Sequence, residues 1–219
     1  RKIPAIHGTP KDFTDELERA LGPFPFFDFW GPKSGLASSR WIADATKKTL
    51  AEKRPTLTLA YLPHLDYDHQ RFGPEAPRSR AALREVDALV GELATAARSV
   101  GAETLVVSEY GLEDVSRPIL VNRALREAGL LAVRDTPAGE LLDPFASRAF
   151  AVCDHQLAHV YLPDPAALAA TRTVLERLPG VAEILDAAGR ARAGLAHARA
   201  GELVLVAQKG AWFAYPYWN

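Results

Sequence analysis

The stretch Tyr61-Leu-Pro-His-Leu-Asp-Tyr-Asp-His-Gln-Arg-Phe-Gly-Pro74 decides how the chain is read. It follows Thr56-Leu-Thr-Leu-Ala-Tyr-Leu62, a short apolar run with threonines that predicts a buried strand. Directly behind that strand come His64, Asp66, Asp68, His69, Gln70 and Arg71, and the chain then turns at Gly73-Pro74. Ligands of open α/β sheets sit outside the carboxyl ends of the strands, where this polar cluster is expected. Oxygen and imidazole groups at such spacing suit a hard or borderline divalent cation. A solvated loop with turn-forming aspartates is the alternative reading of the same residues.

Working outward, residues 79–100 carry Leu83, Val86, Leu89, Val90, Leu93 and Ala97 at helical spacing, and Gly101 closes the helix. Glu103-Thr-Leu-Val-Val-Ser108 is the next expected strand. Strand, helix, strand at this spacing is a βαβ unit, so the two strands should be parallel with a right-handed crossover. Their carboxyl ends would share one sheet edge, placing Ser108-Glu109-Tyr110-Gly111 beside the histidine and aspartate cluster.

Upstream, Thr9-Pro10 opens a helix carrying Phe13, Leu17 and Leu21, stopped by Gly22-Pro23. Phe24-Pro-Phe-Phe-Asp-Phe-Trp-Gly-Pro32 is neither helical nor alternating; it reads as an aromatic plug of a core rather than the lining of a cleft. Ser38-Ser39 is expected to cap a helix running to Lys53. Downstream, a short helix over 118–128 precedes strands at 130–134, 149–153 and 158–162, then a helix from Asp164-Pro165, a strand at 181–185 and strands at 203–207 and 211–215. Short strands with one layer of helices suggest an α+β insert.

Hydrophobic residues at 48% and charged residues at 24% are ordinary for a globular protein. A net charge of −1 offers no field for a nucleic-acid polymer or a membrane surface. No apolar run approaches the roughly 20 residues that span a bilayer. The single cysteine, Cys153, excludes an internal disulfide and fits a reducing compartment, so a cytoplasmic location is expected. The chain contains no methionine and ends on the aromatic run before Asn219, and a piece of a longer polypeptide is expected.

The candidate metal ligands are Asp66, Glu109, His64 and His69, with Asp68 and Gln70 nearby. His155 and His159 form a second pair, but on a strand-turn-strand segment their spacing does not place them on one face. His155 beside Asp154 suits an acid–base or substrate-binding histidine, or equally a histidine satisfied by backbone in a tight turn. The chain has no GxSxG, no CxxC pair and no phosphate-binding glycine loop.

Leu65-Asp66-Tyr-Asp-His-Gln70-Arg-Phe-Gly-Pro74 resembles the strand-end motif of the type I phosphodiesterase/nucleotide pyrophosphatase family, a branch of the alkaline phosphatase superfamily. That motif has a metal-binding Asp, a metal-binding His four residues later, then Gly-Pro. Leu105-Val-Val-Ser108 with Glu109-Tyr110-Gly111 is similar to the family's strand ending in Ser-Asp-His-Gly. Segments 24–41, 123–133, 146–161 and 202–218 resemble a bacterial subgroup of the family. The resemblance implies an α/β fold with an alkaline-phosphatase-like, parallel-rich sheet flanked by helices and an inserted α+β cap. It divides the chain into core at 1–111, cap at 112–202 and a return to the core at 203–219.

The resemblance also implies hydrolysis of small-molecule phosphodiesters or phosphomonoesters with divalent metal ions (Zn, Mn or Mg). No catalytic nucleophile lies in this chain; a Thr or Ser upstream, in the missing remainder of the polypeptide, would attack phosphorus in line. The departures are chemical: Gln70 and Tyr110 stand where the family has imidazoles, and with His155 and His159 they are assigned to substrate. The alternative is a non-catalytic binding protein on the same fold with a degenerate metal site, because amide and phenol oxygens are poor zinc ligands.

Overall fold

The computed structural model describes residues 6–31, 33–137 and 139–218. Residues 1–5, Pro32, Ala138 and Asn219 lie outside them. The chain divides into two compact units, residues 1–114 and 115–219.

The first unit is helical. Helix α1 (Lys11–Leu21) follows Pro10 and ends where Gly22, at φ 82°, donates its N–H to Glu18. Helix α2 (Leu36–Lys53) begins ahead of the expected Ser38-Ser39 cap; Ser38 instead sits buried in the first turn, donating to the carbonyls of Asp28 and Gly35. Helix α3 (His64–Phe72) occupies the stretch expected to be a loop, and helix α4 (Pro77–Ser99) starts with proline at its first position. Small residues at the helix interfaces, among them Ala43, Ala45, Ala82 and Ala97, let α2 and α4 approach closely around Leu89. Leu83, expected on the buried stripe, is exposed. Glu92 of α4 bridges Arg40 and Lys47 of α2 at 2.6 and 2.7 Å, and those hydrogen bonds hold its carboxyl down at about 2. Phe24 packs edge-on against Phe26, Phe29 and Trp41, but all four are only half-buried and Phe27 and Trp30 face solvent, so the aromatic run does not plug a core as expected.

The expected strands at 56–62 and 103–108 correct the βαβ reading. Neither belongs to a sheet in the structure. A strand is defined by its partner, and among the described residues no neighbouring chain bonds to either segment.

The second unit holds the sheets. Strands β1 (Arg117–Ile119) and β8 (Ala211–Phe213) form a parallel pair, and β2 (Val133–Thr136) and β3 (Gly139–Leu142) an antiparallel one. Strands β4 (Phe150–Asp154), β5 (Leu157–Tyr161), β6 (Val181–Leu185) and β7 (Leu203–Ala207) make an antiparallel sheet in the order β4-β5-β7-β6. Helices α5 (Val121–Glu127) and α6 (Leu168–Glu176) cover it, and α7 (Ala187–Arg192) follows β6, with Asp186 accepting from Gly189 at its N-terminus. Residues 203–219, expected to return to the first body, instead supply the strand between β5 and β6 and the partner of β1. The parallel-rich sheet is therefore represented by one pair among the described residues.

Burial alternates along β4: Ala151 and Cys153 point inward and Val152 outward, so one face carries the core with Val160, Leu175, Leu203, Leu205 and Phe213. Burial pushes the Cys153 thiol up to about 11. The free side of β4 meets Asn122 of α5. Its amide donates to the Ala151 carbonyl at 2.8 Å and accepts the Ala151 N–H at 2.7 Å, as a neighbouring strand would.

Replacing Asn122 with alanine leaves that buried N–H and carbonyl unpaired, and should cost about 2–4 kcal/mol. Urea unfolding of the 219-residue chain measures it; an unchanged midpoint would show that the amide clamp contributes nothing.

Candidate functional site

Helix α3 organises the candidate site. Asp66 in its first turn and His69 and Arg71 in its last complement the helix dipole. Gly73 ends it at φ 80°, donating its N–H to His69; a Cβ there would run into the Asp114 carboxylate. Residues four apart on a helix share a face, and α3 carries two such pairs.

His64 and Asp68 form the buried pair. His64 Nδ1 lies 2.8 Å from Ser39 Oγ of α2, and its Nε2 lies 3.9 Å from Glu85 Oε2 of α4. Neither Nε2 nor that Glu85 oxygen has a hydrogen-bond partner. Burial lowers the His64 pKa against a smaller upward push from Glu85, so the imidazole is neutral at pH 7. Asp68 receives Arg78 Nε at 3.0 Å and Arg71 Nη1 at 3.3 Å. Ser79 donates to the carbonyls of Asp68 and Gly73, tying the end of α3 to the start of α4.

Asp66 and Gln70 form the other pair. Gln70 Nε2 donates to Asp66 Oδ2 at 2.8 Å, while Asp66 Oδ1 is buried without a well-formed hydrogen bond. Tyr110 meets this carboxylate from the segment after Ser108, whose hydroxyl donates to the Tyr110 carbonyl at 2.7 Å. Tyr110 keeps 52% of its surface open. Partial burial of its hydroxyl, then the Asp66 carboxylate, push its phenol up to about 12, with Tyr61 and Glu109 adding smaller effects. Burial and then Asp66 and Glu109 raise Tyr61 as well. Tyr61, Asp66, Gln70, Glu109 and Tyr110 thus gather at one place. The ends of 56–62 and 103–108 meet there although no ladder joins them.

The sequence-expected residues therefore separate. Asp66, Glu109, Gln70 and Tyr110 come together. His64 is turned into the helix interface, its Nδ1 taken by Ser39, away from the ligand set expected for it. His69 stands on α3 between the two helical pairs. Among the described residues, no three His, Cys, Asp or Glu side chains converge to hold a metal. The orphaned Asp66 oxygen and the Glu109 carboxylate fit part of the shell of a hard cation. The Gln70 amide and the protonated Tyr110 phenol do not fit a zinc site.

The other two histidines belong to the second unit. His155 occupies the two-residue turn between β4 and β5 at φ 53°, its carbonyl accepting from Phe213 and its exposed ring 3.8 Å from Asp154. His159 Nδ1 accepts the Gly201 N–H at 3.2 Å. Tyr61, Ser39 and Glu85 were missed in the sequence. Tyr61 alone left a signal, as the last aromatic of the expected strand.

In chelator-treated protein, Asp66→Asn removes a charge that opposes Tyr110 ionisation, so the phenol should fall from about 12 toward its usual 10.0. The fold holds this proton more tightly than the unfolded chain does. Its stabilising contribution is therefore complete below pH 10 and disappears as pH rises through 12. Ultraviolet difference titration against Tyr110→Phe reads the shift, and coincident Tyr110 curves in parent and variant would uncouple the two groups.

A 40-residue stretch is 48% identical to an uncharacterized pyrophosphatase/phosphodiesterase of Schizosaccharomyces pombe, covering 18% of this chain and 8% of that protein. Phosphonoacetate hydrolase from Sinorhizobium meliloti 1021, solved with phosphonoacetate, superposes with a TM-score of 0.55 at 22% identity, over 91% of this chain and 46% of that one. Murine ectonucleotide pyrophosphatase/phosphodiesterase 5 gives 0.56 at 16% identity, over 84% and 46%. The chain thus spans less than half the length of these solved structures, which share its fold. The profile of type I phosphodiesterase/nucleotide pyrophosphatase matches residues 3–219, and the chain belongs to that family.

Proposed function

We propose that the intact protein hydrolyses small-molecule phosphoesters with the help of divalent metal, and that this chain supplies one part of its site. The observation that carries this reading is the meeting of Asp66, with its unpartnered oxygen, and the Glu109–Tyr110 segment at the α3 face. Within the family these are the positions of metal-binding residues. The solved relatives' names, a phosphonoacetate hydrolase and a nucleotide pyrophosphatase/phosphodiesterase, agree on hydrolysis of small phosphorus-bearing substrates.

Asp66 and Glu109 would hold the cation, which when bound polarises a phosphoryl oxygen. Gln70 fixes the orientation of Asp66 through its amide. Tyr110, protonated at neutral pH, is a hydrogen-bond donor suited to a substrate oxygen. His155 and His159 are our remaining substrate-side assignments, and the attacking Thr or Ser is assigned to polypeptide outside these residues. The lone buried thiol is consistent with a cytoplasmic home. Among the described residues, no helix is long and apolar enough to cross a membrane. The second reading, a binding protein with a degenerate centre, is favoured by one observation: Gln70 occupies Asp66 with a donor where the family places an imidazole ligand.

The polypeptide encoded by the whole gene should cleave bis(p-nitrophenyl) phosphate in Mn²⁺ or Mg²⁺, and Asp66→Ala or Glu109→Ala should lower kcat/KM by roughly a hundredfold or more. Parent and variants of equal, metal-independent inactivity would instead establish the binding protein. The 219-residue chain alone should bind Mg²⁺ or Mn²⁺ more weakly than about 10⁻⁴ M by titration calorimetry, as expected of two carboxylates. Tight zinc lost in Asp66→Ala would mean that an imidazole, with His69 the available one, completes the site.

A further inference from the structure

The four-stranded sheet of the second unit has its core on one face and a strap across part of the other. Direct cross-strand neighbours put Val152, His159, Val204 and Leu185 in one row on the face opposite the core. That row is open at one end only: Val152 keeps 50% of its surface in water, whereas Val204 keeps none. Helix α7 covers the closed end, since a Cβ on its Gly189 would press on the Leu185 side chain at 3.2 Å. Residues 195–201 continue from α7 across β5 and lead into β7. Gly201 is buried, and a Cβ there would come within 2.5 Å of the Val160 carbonyl, so the strap lies directly on the β5 backbone.

Three side chains fasten the end of the strap. His197 Nδ1 accepts the Arg199 N–H at 3.1 Å, the Tyr161 hydroxyl donates to the Arg199 carbonyl at 2.9 Å, and His159 Nδ1 accepts the Gly201 N–H at 3.2 Å. Two of these bonds use an imidazole nitrogen as the acceptor of a backbone N–H. Only an unprotonated nitrogen can accept; the imidazolium carries hydrogen on both nitrogens and would set N–H against N–H. Histidine is also the side chain whose charge changes between about pH 5 and 8. The strap adds like charge to that conflict, because residues 187–201 hold Arg190, Arg192 and Arg199 and no Asp or Glu. Asp154 on β4 and Glu183 on β6 lie one row further along the same face. Glu202 at the entry to β7 is taken by the Leu162 N–H, and Asp186 caps α7. Tyr161, its ring 6.4 Å from that of His159, is the remaining titratable neighbour.

We propose that residues 195–201 are a pH-sensitive strap, held on the sheet while His159 and His197 are neutral and released when the two rings take up protons. Release extends the open part of the row from Val152 to His159 and frees the Tyr161 hydroxyl. The opposite face, packed under α5 and α6, stays as it is. No catalytic step enters the proposal, so it stands apart from the hydrolase reading.

Amide exchange of the 219-residue chain, followed by NMR, tests it, with each rate divided by that of the unfolded chain at the same pH. Between about pH 7.5 and 5.5 the protection of the Arg199 and Gly201 amides should fall about tenfold, while amides of β5 and β7 keep theirs. Replacing both rings, His159→Asn with His197→Asn, supplies acceptor oxygens that do not titrate. The strap of that double variant should be equally protected at both pH values. Protection in the parent that ignores pH overturns the proposal. So does a double variant whose strap is unprotected at either pH, and so does an equal loss along β5 and β7, which is general loosening. Should the double variant fail to fold, the parent's Gly201 amide shift decides. It should titrate with the same midpoint as the His159 ring protons, and a different midpoint overturns the proposal.

Discussion

Everything at the candidate site depends on how α3 is pinned. Its nine residues divide by the helical period into a side that is held and a side that is offered. His64 and Asp68 are fastened between α2 and α4 by Ser39, Arg78 and the Ser79 hydroxyl, and that fastening fixes the rotation of the helix. Asp66 and Gln70 then have one direction in which to point. The price of this arrangement is a buried histidine facing a buried carboxylate oxygen across 3.9 Å with no hydrogen bond between them.

An amide and a phenol stand beside the Asp66 carboxylate at the candidate site. Gln70 at i+4 donates to the Asp66 carboxylate. Tyr110 sits against the same carboxylate with its proton retained. The Gln70 amide therefore moderates the negative charge of Asp66 at one of its two oxygens.

Much of this was legible in the sequence, and what was not has physical causes. Helices α1 and α4 and strands β4 to β7 follow from local periodicity, with proline starts and glycine stops close to their observed ends. Helix α3 was missed because its repeating pairs are polar, His64 with Asp68 and Asp66 with Gln70, and carry no apolar stripe. Segments 56–62 and 103–108 have strand composition, but a ladder is a property of two chains and cannot be written into one. Strand β3 is short and borrows its conformation from β2. The place of 203–219 was misjudged for a related reason: β7 matches a central strand of any sheet, and pairing alone reveals which. The meeting of Glu109 and Tyr110 with Asp66 was nevertheless foreseen, since it needs only that the two segments end together.

Asn122 gives the second unit a property that the first lacks. By occupying the Ala151 N–H and carbonyl from the side, it interrupts the free edge of β4, where an incoming strand would have to register. Sheets with continuous free edges recruit strands from other molecules and seed aggregates. A single amide here acts as a guard. The exposed apolar segments of residues 1–114 have no such guard among the described residues.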